Sequence, residues 1–459
     1  MENTIVAMSK YVLMLLFAMY TMYCFTAFRM KNPDRQNRKY GTQRRLLFLI
    51  HFVGSFALYV QHPETKYLIM YVLQVVFFLA GIFASQFVYK NISRLVLNNM
   101  MMCLAVGFIM LERLHFDYAV KQFAIAAVAE LVCLVIPYMI DKFQYFNKFA
   151  WFYALAGILL LATVFVIGSE QYGAKNWIVI GSFAVQPSEF VKIVYVFFVA
   201  AALAENTGFK QVVKVGIVAG IHVLILVAEK DLGAALIYSV TFLAILYVAS
   251  GKVIYLAGGI VAGSGAAYGA YLVFDHVQTR VTAWLDPWTT IDKQGYQVAH
   301  SLFAIGTGGW FGMGLGKGAP TLVPVVESDF IFAAISEELG AFFALCVILV
   351  CISCFIMFIN IALKMKRQFY KLVALGLSTI YIFQIFLTVG GVTRFIPSTG
   401  VTLPLISYGG SSVLSTIIMF SVIQGMYEWN MDEVSRNEEN TKKAKAGAKA
   451  KRKKRDENG

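Results

Sequence analysis

Long apolar runs, recurring along almost the whole chain and broken only at charges, Pro or Gly, constrain this sequence more than any other feature. Thirteen of them, each near the ~20 residues that a helix needs to cross a hydrocarbon core, fall at about 10–28, 46–61, 67–88, 95–112, 120–140, 148–168, 187–204, 211–228, 232–249, 253–274, 328–361, 370–391 and 403–427. Lipid offers a backbone no hydrogen-bond partners, so runs of this length are read as helices. Charged residues are 14% of the chain, against about 25% in soluble domains, too few to cover a water-facing surface of this size. The expected fold is an all-α polytopic membrane protein with about 13 transmembrane helices. Lys10 opens the first run and no small-residue cleavage site follows, so that run is read as a retained span.

The net charge of +13 suggests nucleic acid until the cations are placed, since they cluster between the apolar runs. With the amino terminus outside, the inner segments hold 28 of the 39 Lys and Arg, 7 of them between Arg29 and Arg45 and 10 after position 428. That asymmetry places the carboxyl terminus in the cytoplasm and, with an odd span count, the amino terminus outside. The Lys442 to Arg455 tail has no apolar face and is expected to be disordered near anionic lipid heads. Cys24, Cys103, Cys133, Cys346, Cys351 and Cys354 all lie in apolar runs and read as small core residues.

Ionisable groups inside spans cost about 2.5–3.5 kcal/mol each, so the few present are candidate sites. Glu189 and Lys192 sit three apart on the helix opened by Pro187, close enough to pair, either as a packing device or as part of a site. Asp329, Glu337 and Glu338 share the eleventh run, with the glutamates roughly 12 Å deeper. Only Asp329 stands at the water boundary; the glutamates read as buried structural acids. Between the tenth and eleventh runs, about 275–327 forms a long outer segment, and a loop of that length is usually functional. It contains Arg280, Trp284, Trp288 and a stretch with seven Gly between Gly306 and Gly318 that includes Lys317. Such glycine density permits close backbone approach to a ligand and amide contacts to phosphate oxygens, or simply makes a turn-rich connector. Gly318 stands where a Walker motif needs Ser or Thr, and neither H-E-x-x-H nor G-x-S-x-G occurs. Acidic and basic groups converging on the outer face suit a lipid-linked phosphate substrate.

Lys175 to Ile178, Gln186 to Lys192, Asp231-Leu232-Gly233, Arg280 to Thr282 with Asp286-Pro287-Trp288, Ser328 to Phe332 with Glu337 to Gly340, and Thr402 to Ser412 together resemble the SEDS (shape, elongation, division and sporulation) family, typified by FtsW, RodA and SpoVE. The resemblance implies a lipid II polymerase of the bacterial plasma membrane, an inverting glycosyltransferase that releases undecaprenyl pyrophosphate. It also implies a ten-span core over 95–428, leaving 1–94 as an extension of three spans and 429–459 as the tail. By motif, Asp329 resembles the family's catalytic aspartate. Lys192 and Arg280 match cavity cations for the pyrophosphate, Glu189 and Asp231 orient them, Trp177 packs on sugar or isoprenoid, and Lys317 adds a further substrate contact. A divalent cation, Mg or Mn, and a class B penicillin-binding transpeptidase are the implied cofactor and partner. The Thr402 to Ser412 string looks more like the division and sporulation members than the elongation ones. A flippase or transporter of lipid-linked oligosaccharides and a non-catalytic division scaffold are the competing readings, and a flippase would depend on midplane charges such as Glu338 and Glu189.

Overall fold

The computed structural model describes residues 2–457 apart from 31, 144, 172, 173 and 182. Helices α1 (Glu2–Phe28), α2 (Pro33–Gln61) and α3 (Thr65–Val88) form the amino-terminal segment. Then come α4 (Arg94–Leu114), α5 (Phe116–Cys133), α6 (Ile136–Lys142) and α7 (Ala150–Ile167). A small antiparallel sheet follows, β1 (Ser169–Gln171), β2 (Ala174–Ile180) and β3 (Phe183–Val185), in the order β1-β2-β3 with Ile178 opposite Val185. Next are α8 (Pro187–Leu203), α9 (Phe209–Ala228), α10 (Leu232–Ser250), α11 (Val253–Val273), α12 (Asp275–Leu285), α13 (Tyr296–Gly308), α14 (Ile331–Leu339), α15 (Ala341–Lys364), α16 (Gln368–Val392) and α17 (Gly410–Glu457).

Among the described residues eleven helices are long and apolar enough to cross a membrane. The two other expected spans coincide with α2, whose first half is highly charged, and α8, which has 17 residues. The basic segment after α1, read as a loop, is helical from Pro33: the Asn32 side chain accepts from the N–H groups of Asp34 and Arg35, and Pro33 occupies a position where a missing N–H costs nothing.

Three expectations change in detail. The 328–361 run is two helices, α14 and α15, separated at Gly340, whose φ of 90° is left-handed and favours glycine. The 403–427 run is helical only from Gly410, and the preceding residues run irregularly through the site. The sheet is an addition to the all-α expectation, since β2, the longest of its short strands, has only seven residues and its β-branched run reads equally as helix flank. Beyond the core, the last helix continues to Glu457 through the tail expected to be disordered; Lys, Ala and Glu are strong helix formers and no Pro interrupts them.

At the centre lies α4, buried along nearly its whole length. Polar side chains tie its neighbours to it: Tyr20 on α1 donates to Asn99 Oδ1 at 2.8 Å, Asn99 donates to Ser353 on α15 at 3.3 Å, and Asn98 donates to Gln43 on α2 at 3.3 Å. Such interhelical bonds contribute about 0.6 kcal/mol each on average, and more importantly they fix which helix faces which. All six cysteines are free and buried, as core packing requires.

Candidate active site

A cavity of about 790 Å³ opens among β2, the starts of α8 and α10, α12, the segment before α14 and the 398–412 stretch. That is within the range of small-molecule sites. Asp329, Arg280, Trp177, Glu189 and Asp231 all line it, as do Tyr118, Lys121, Lys230, His276, Lys293, Glu327 and Tyr408.

Asp329 lies two residues before α14 and is held by its backbone neighbours. Ser328 Oγ donates to Asp329 Oδ1 at 3.1 Å. The Ser407 hydroxyl donates to the Ser328 carbonyl at 2.5 Å and accepts from the Leu403 N–H at 2.8 Å, while the Tyr408 N–H donates to the Glu327 carbonyl at 2.7 Å. From α5, Gln122 Nε2 donates to the Ser407 carbonyl at 2.9 Å and its Oε1 accepts from the Gly409 N–H at 3.0 Å. The 402–412 string is thus a brace for the segment that carries Asp329. Burial raises the Asp329 carboxyl above its ordinary value; the Ser328 hydrogen bond and the Arg280 charge pull it back.

Gly400 separates Asp329 from Arg280. A Cβ there would lie 3.4 Å from Asp329 Oδ2 and 3.7 Å from Arg280 Nη2, and its φ of 71° is left-handed. The two side chains therefore flank one gap without forming an ion pair. Arg280 Nη1 donates to the Ser398 carbonyl at 3.4 Å, which points the guanidinium along the cavity wall.

Asp231 caps α10, accepting from the Ala234 N–H at 3.1 Å, and its Oδ2 accepts from Asn176 at 3.0 Å, Gln186 at 2.8 Å and Ser188 at 3.2 Å. It joins β2, α8 and α10 at the cavity wall and is a positioning residue. Glu189 reaches the cavity, but Lys192 does not: it is 2% exposed, and Nζ donates to Glu189 Oε2 at 2.6 Å and Gln384 Oε1 at 3.1 Å. The pair serves packing here, with Ser415 also donating to Glu189 at 2.8 Å.

Lys317 also stands apart from the cavity-lining residues. The glycine-rich stretch around it spends its amides on protein carboxylates: the Gly316 N–H donates to Glu338 Oε2 at 2.9 Å and the Ala319 N–H to Glu337 Oε1 at 2.8 Å. Sequence leaves a phosphate cradle and a turn-rich connector both open, and these amides buttress α14. The glutamates are the structural acids expected, and Arg113 Nε and Nη2 both lie 3.0 Å from Glu338 Oε1.

The cations facing the cavity beside Arg280 are Lys121, Lys230 and Lys293, none of them singled out from sequence. Lys230 alone carried a local signal, adjacent to Asp231 at a helix start. Among the described residues no three His, Cys, Asp or Glu come together as a resident metal would need.

The sequence profile of the family described as "Cell cycle protein" (FtsW/RodA/SpoVE) matches residues 93–429. Peptidoglycan glycosyltransferase RodA of Mycobacterium tuberculosis is 37% identical over 315 residues, which span 63% of this chain and 66% of that protein. Stage V sporulation protein E of Bacillus subtilis is 31% identical over 320 residues, 67% of this chain and 86% of the relative. A probable peptidoglycan glycosyltransferase FtsW of Aliivibrio salmonicida is 34% identical over 288 residues, 60% of this chain and 72% of the relative. With RodA, FtsW and sporulation proteins all matching, the Thr402 to Ser412 string does not sort this chain among them. Among solved structures, a chain from "Structural coordination of polymerization and crosslinking by a peptidoglycan synthase complex" superposes with a TM-score of 0.62 at 22% identity, covering 73% of this chain and 97% of that one. RodA of Thermus thermophilus gives 0.53 at 22% identity, covering 73% and 96%. The helical core, the order of the motifs and the profile match over most of the length agree: this multi-pass membrane protein belongs to the FtsW/RodA/SpoVE family.

Proposed function

We propose that this chain is a peptidoglycan glycosyltransferase that polymerises lipid II at the outer face of the bacterial plasma membrane. The observation that carries the reading is Asp329, a carboxylate with a raised proton affinity in the wall of a cavity that also carries several cations, facing Arg280 across Gly400. Asp329 accepts the proton of the GlcNAc 4-hydroxyl as that oxygen attacks the MurNAc anomeric carbon. The bond from that carbon to the pyrophosphate oxygen breaks, undecaprenyl pyrophosphate leaves, and the anomeric centre inverts. Arg280, Lys230 and Lys121 meet the leaving group's charge, Trp177 offers an aromatic face to sugar or isoprenoid, and a divalent cation, Mg or Mn, would arrive bound to the diphosphate of the substrate.

The Lys and Arg asymmetry supports an outside amino terminus and a cytoplasmic carboxyl terminus, which sets the cavity on the outer side. The partner we propose is a class B penicillin-binding transpeptidase that crosslinks the strands. A transport reading would need mobile acids, whereas Glu338 and Glu189 are each locked to a cation. The test is polymerisation of labelled lipid II by the purified protein, with and without a transpeptidase-inactive partner; glycan chains are expected, and none under either condition sinks the reading.

The same geometry sets a pH dependence. Asp329 must be ionised to accept a proton, and burial raises its pKa, so the acid limb of the rate lies at higher pH than an ordinary carboxylate near 3.9 would give. Arg280 favours the ionised form, so Arg280→Gln shifts that limb further upward. Initial rates normalised to each variant's plateau measure this, and a limb that stays or moves downward contradicts the influence of the Arg280 charge on Asp329.

A further inference from the structure

The amino-terminal segment preceding the family match contacts the outer segment at one place. Near the start of α1, Lys10 Nζ donates to the Gly312 carbonyl at 2.8 Å, and the Tyr11 and Phe311 ring centroids are 6.1 Å apart. At the end of α2, Gln61 Nε2 donates to the Leu315 carbonyl at 2.7 Å. The opposite side of the same stretch is bonded to α14: the N–H groups of Met313 and Gly314 donate to the carbonyls of Glu337 and Glu338 at 2.9 and 2.8 Å, in addition to the two amide–carboxylate bonds of Gly316 and Ala319. Residues 312–319 are therefore a slab between α1 and α2 on one side and the helix that starts just after Asp329 on the other.

We infer that α1 and α2 are a positioning element for the catalytic segment, with Lys10 and Gln61 holding the slab that holds α14. Lys10 stands at the head of the first apolar run, and its ammonium makes a charge-assisted bond to a backbone carbonyl. These end contacts are separable from the docking of the helices themselves. Midway along, α1 is anchored by Phe17 against Phe343 at 4.3 Å between ring centroids and by the Tyr20 bond to Asn99. The α2–α3 pair is anchored by His51 Nε2, 2.7 Å from Gln74 Oε1, and by Gln74 Nε2 donating to Glu112 Oε1 on α4 at 2.6 Å. Losing Lys10 and Gln61 thus loosens the slab while the bundle stays assembled. The inference rests on the polymerase reading for its consequence on rate, and on geometry alone for its consequence on structure.

The test compares full-length wild type with Lys10→Met combined with Gln61→Leu, by hydrogen–deuterium exchange in detergent and by lipid II polymerisation. Peptides covering 311–319 and 327–339 are expected to exchange about tenfold faster, with α15 unchanged. Turnover is expected to fall about tenfold or more at constant KM, since a small misplacement far from the chemistry is costly. Lys10→Arg, which keeps a donor, is expected to retain wild-type exchange and rate. Unchanged exchange in those peptides, loosening that spreads equally to α15, or faster exchange with unaltered turnover each overturns the inference. A wild type that makes no glycan while the exchange responds as expected overturns the polymerase reading and leaves the positioning role standing.

Discussion

Asp329→Asn is expected to remove glycan synthesis, with a loss of about 10²–10⁴-fold or down to background, while the protein accumulates and melts as wild type does. Asn matches Asp in shape, and its Oδ1 still accepts from Ser328 Oγ, so the turn before α14 and its brace from Ser407 and Tyr408 are kept. The substitution takes away only the ability to receive a proton. Because burial already disfavours the charged form, neutralising the group relieves a desolvation cost and does not destabilise the fold. Polymerisation of labelled lipid II measured beside a thermal melt in detergent checks both halves. Activity retained within a fewfold of wild type means that another group takes the proton.

The largest expected effect on stability is at Arg113. Its guanidinium contacts Glu338, whose side chain is 0% exposed, and also donates to the Gly318 carbonyl at 3.2 Å. Arg113→Leu leaves a buried carboxylate that keeps the bond from the Gly316 N–H but loses its cation, and removing one partner of a buried pair costs about 3–5 kcal/mol. Adding Glu338→Gln keeps an acceptor for Gly316 and removes the stranded charge, so the double variant is expected to recover most of the loss. Melting temperature and steady-state abundance of the two variants read this out. A single variant as stable as wild type contradicts the pair as the keystone under α14.

Much of the helical frame was legible because lipid makes apolar run length informative, and the runs at 10–28, 67–88 and 370–391 correspond closely to α1, α3 and α16. The errors have physical causes. Gly340 breaks a stretch read as one span in spite of Glu337 and Glu338 just before it, since hydropathy does not register a left-handed φ. Asp329, Arg280, Trp177, Glu189 and Asp231 were found because they sit in recognisable strings, and the fold brings them to one cavity. Lys192 was drawn into the site by its motif, but a sequence does not reveal that Gln384, almost two hundred residues later, completes its hydrogen bonding. Lys317 stands apart from the cavity, and the backbone amides beside it, suited to phosphate, are equally suited to the Glu337 and Glu338 carboxylates. Lys121 and Lys293 were invisible because only tertiary structure says which face of α5, and which point between α12 and α13, turns toward the cavity.

The brace on the Asp329 segment also has an order of assembly. Ser407, which grips the Ser328 carbonyl, lies 79 residues downstream of it, and Gln122, which grips the Ser407 carbonyl, lies 285 residues upstream of Ser407. During synthesis on the ribosome Gln122 is therefore already in place when Asp329 emerges, whereas Ser407 and Tyr408 are not, and the brace closes only when the chain beyond them is made. On the proposed polymerase reading, a chain stalled before residue 407 carries Asp329 without this brace and is expected to make no glycan.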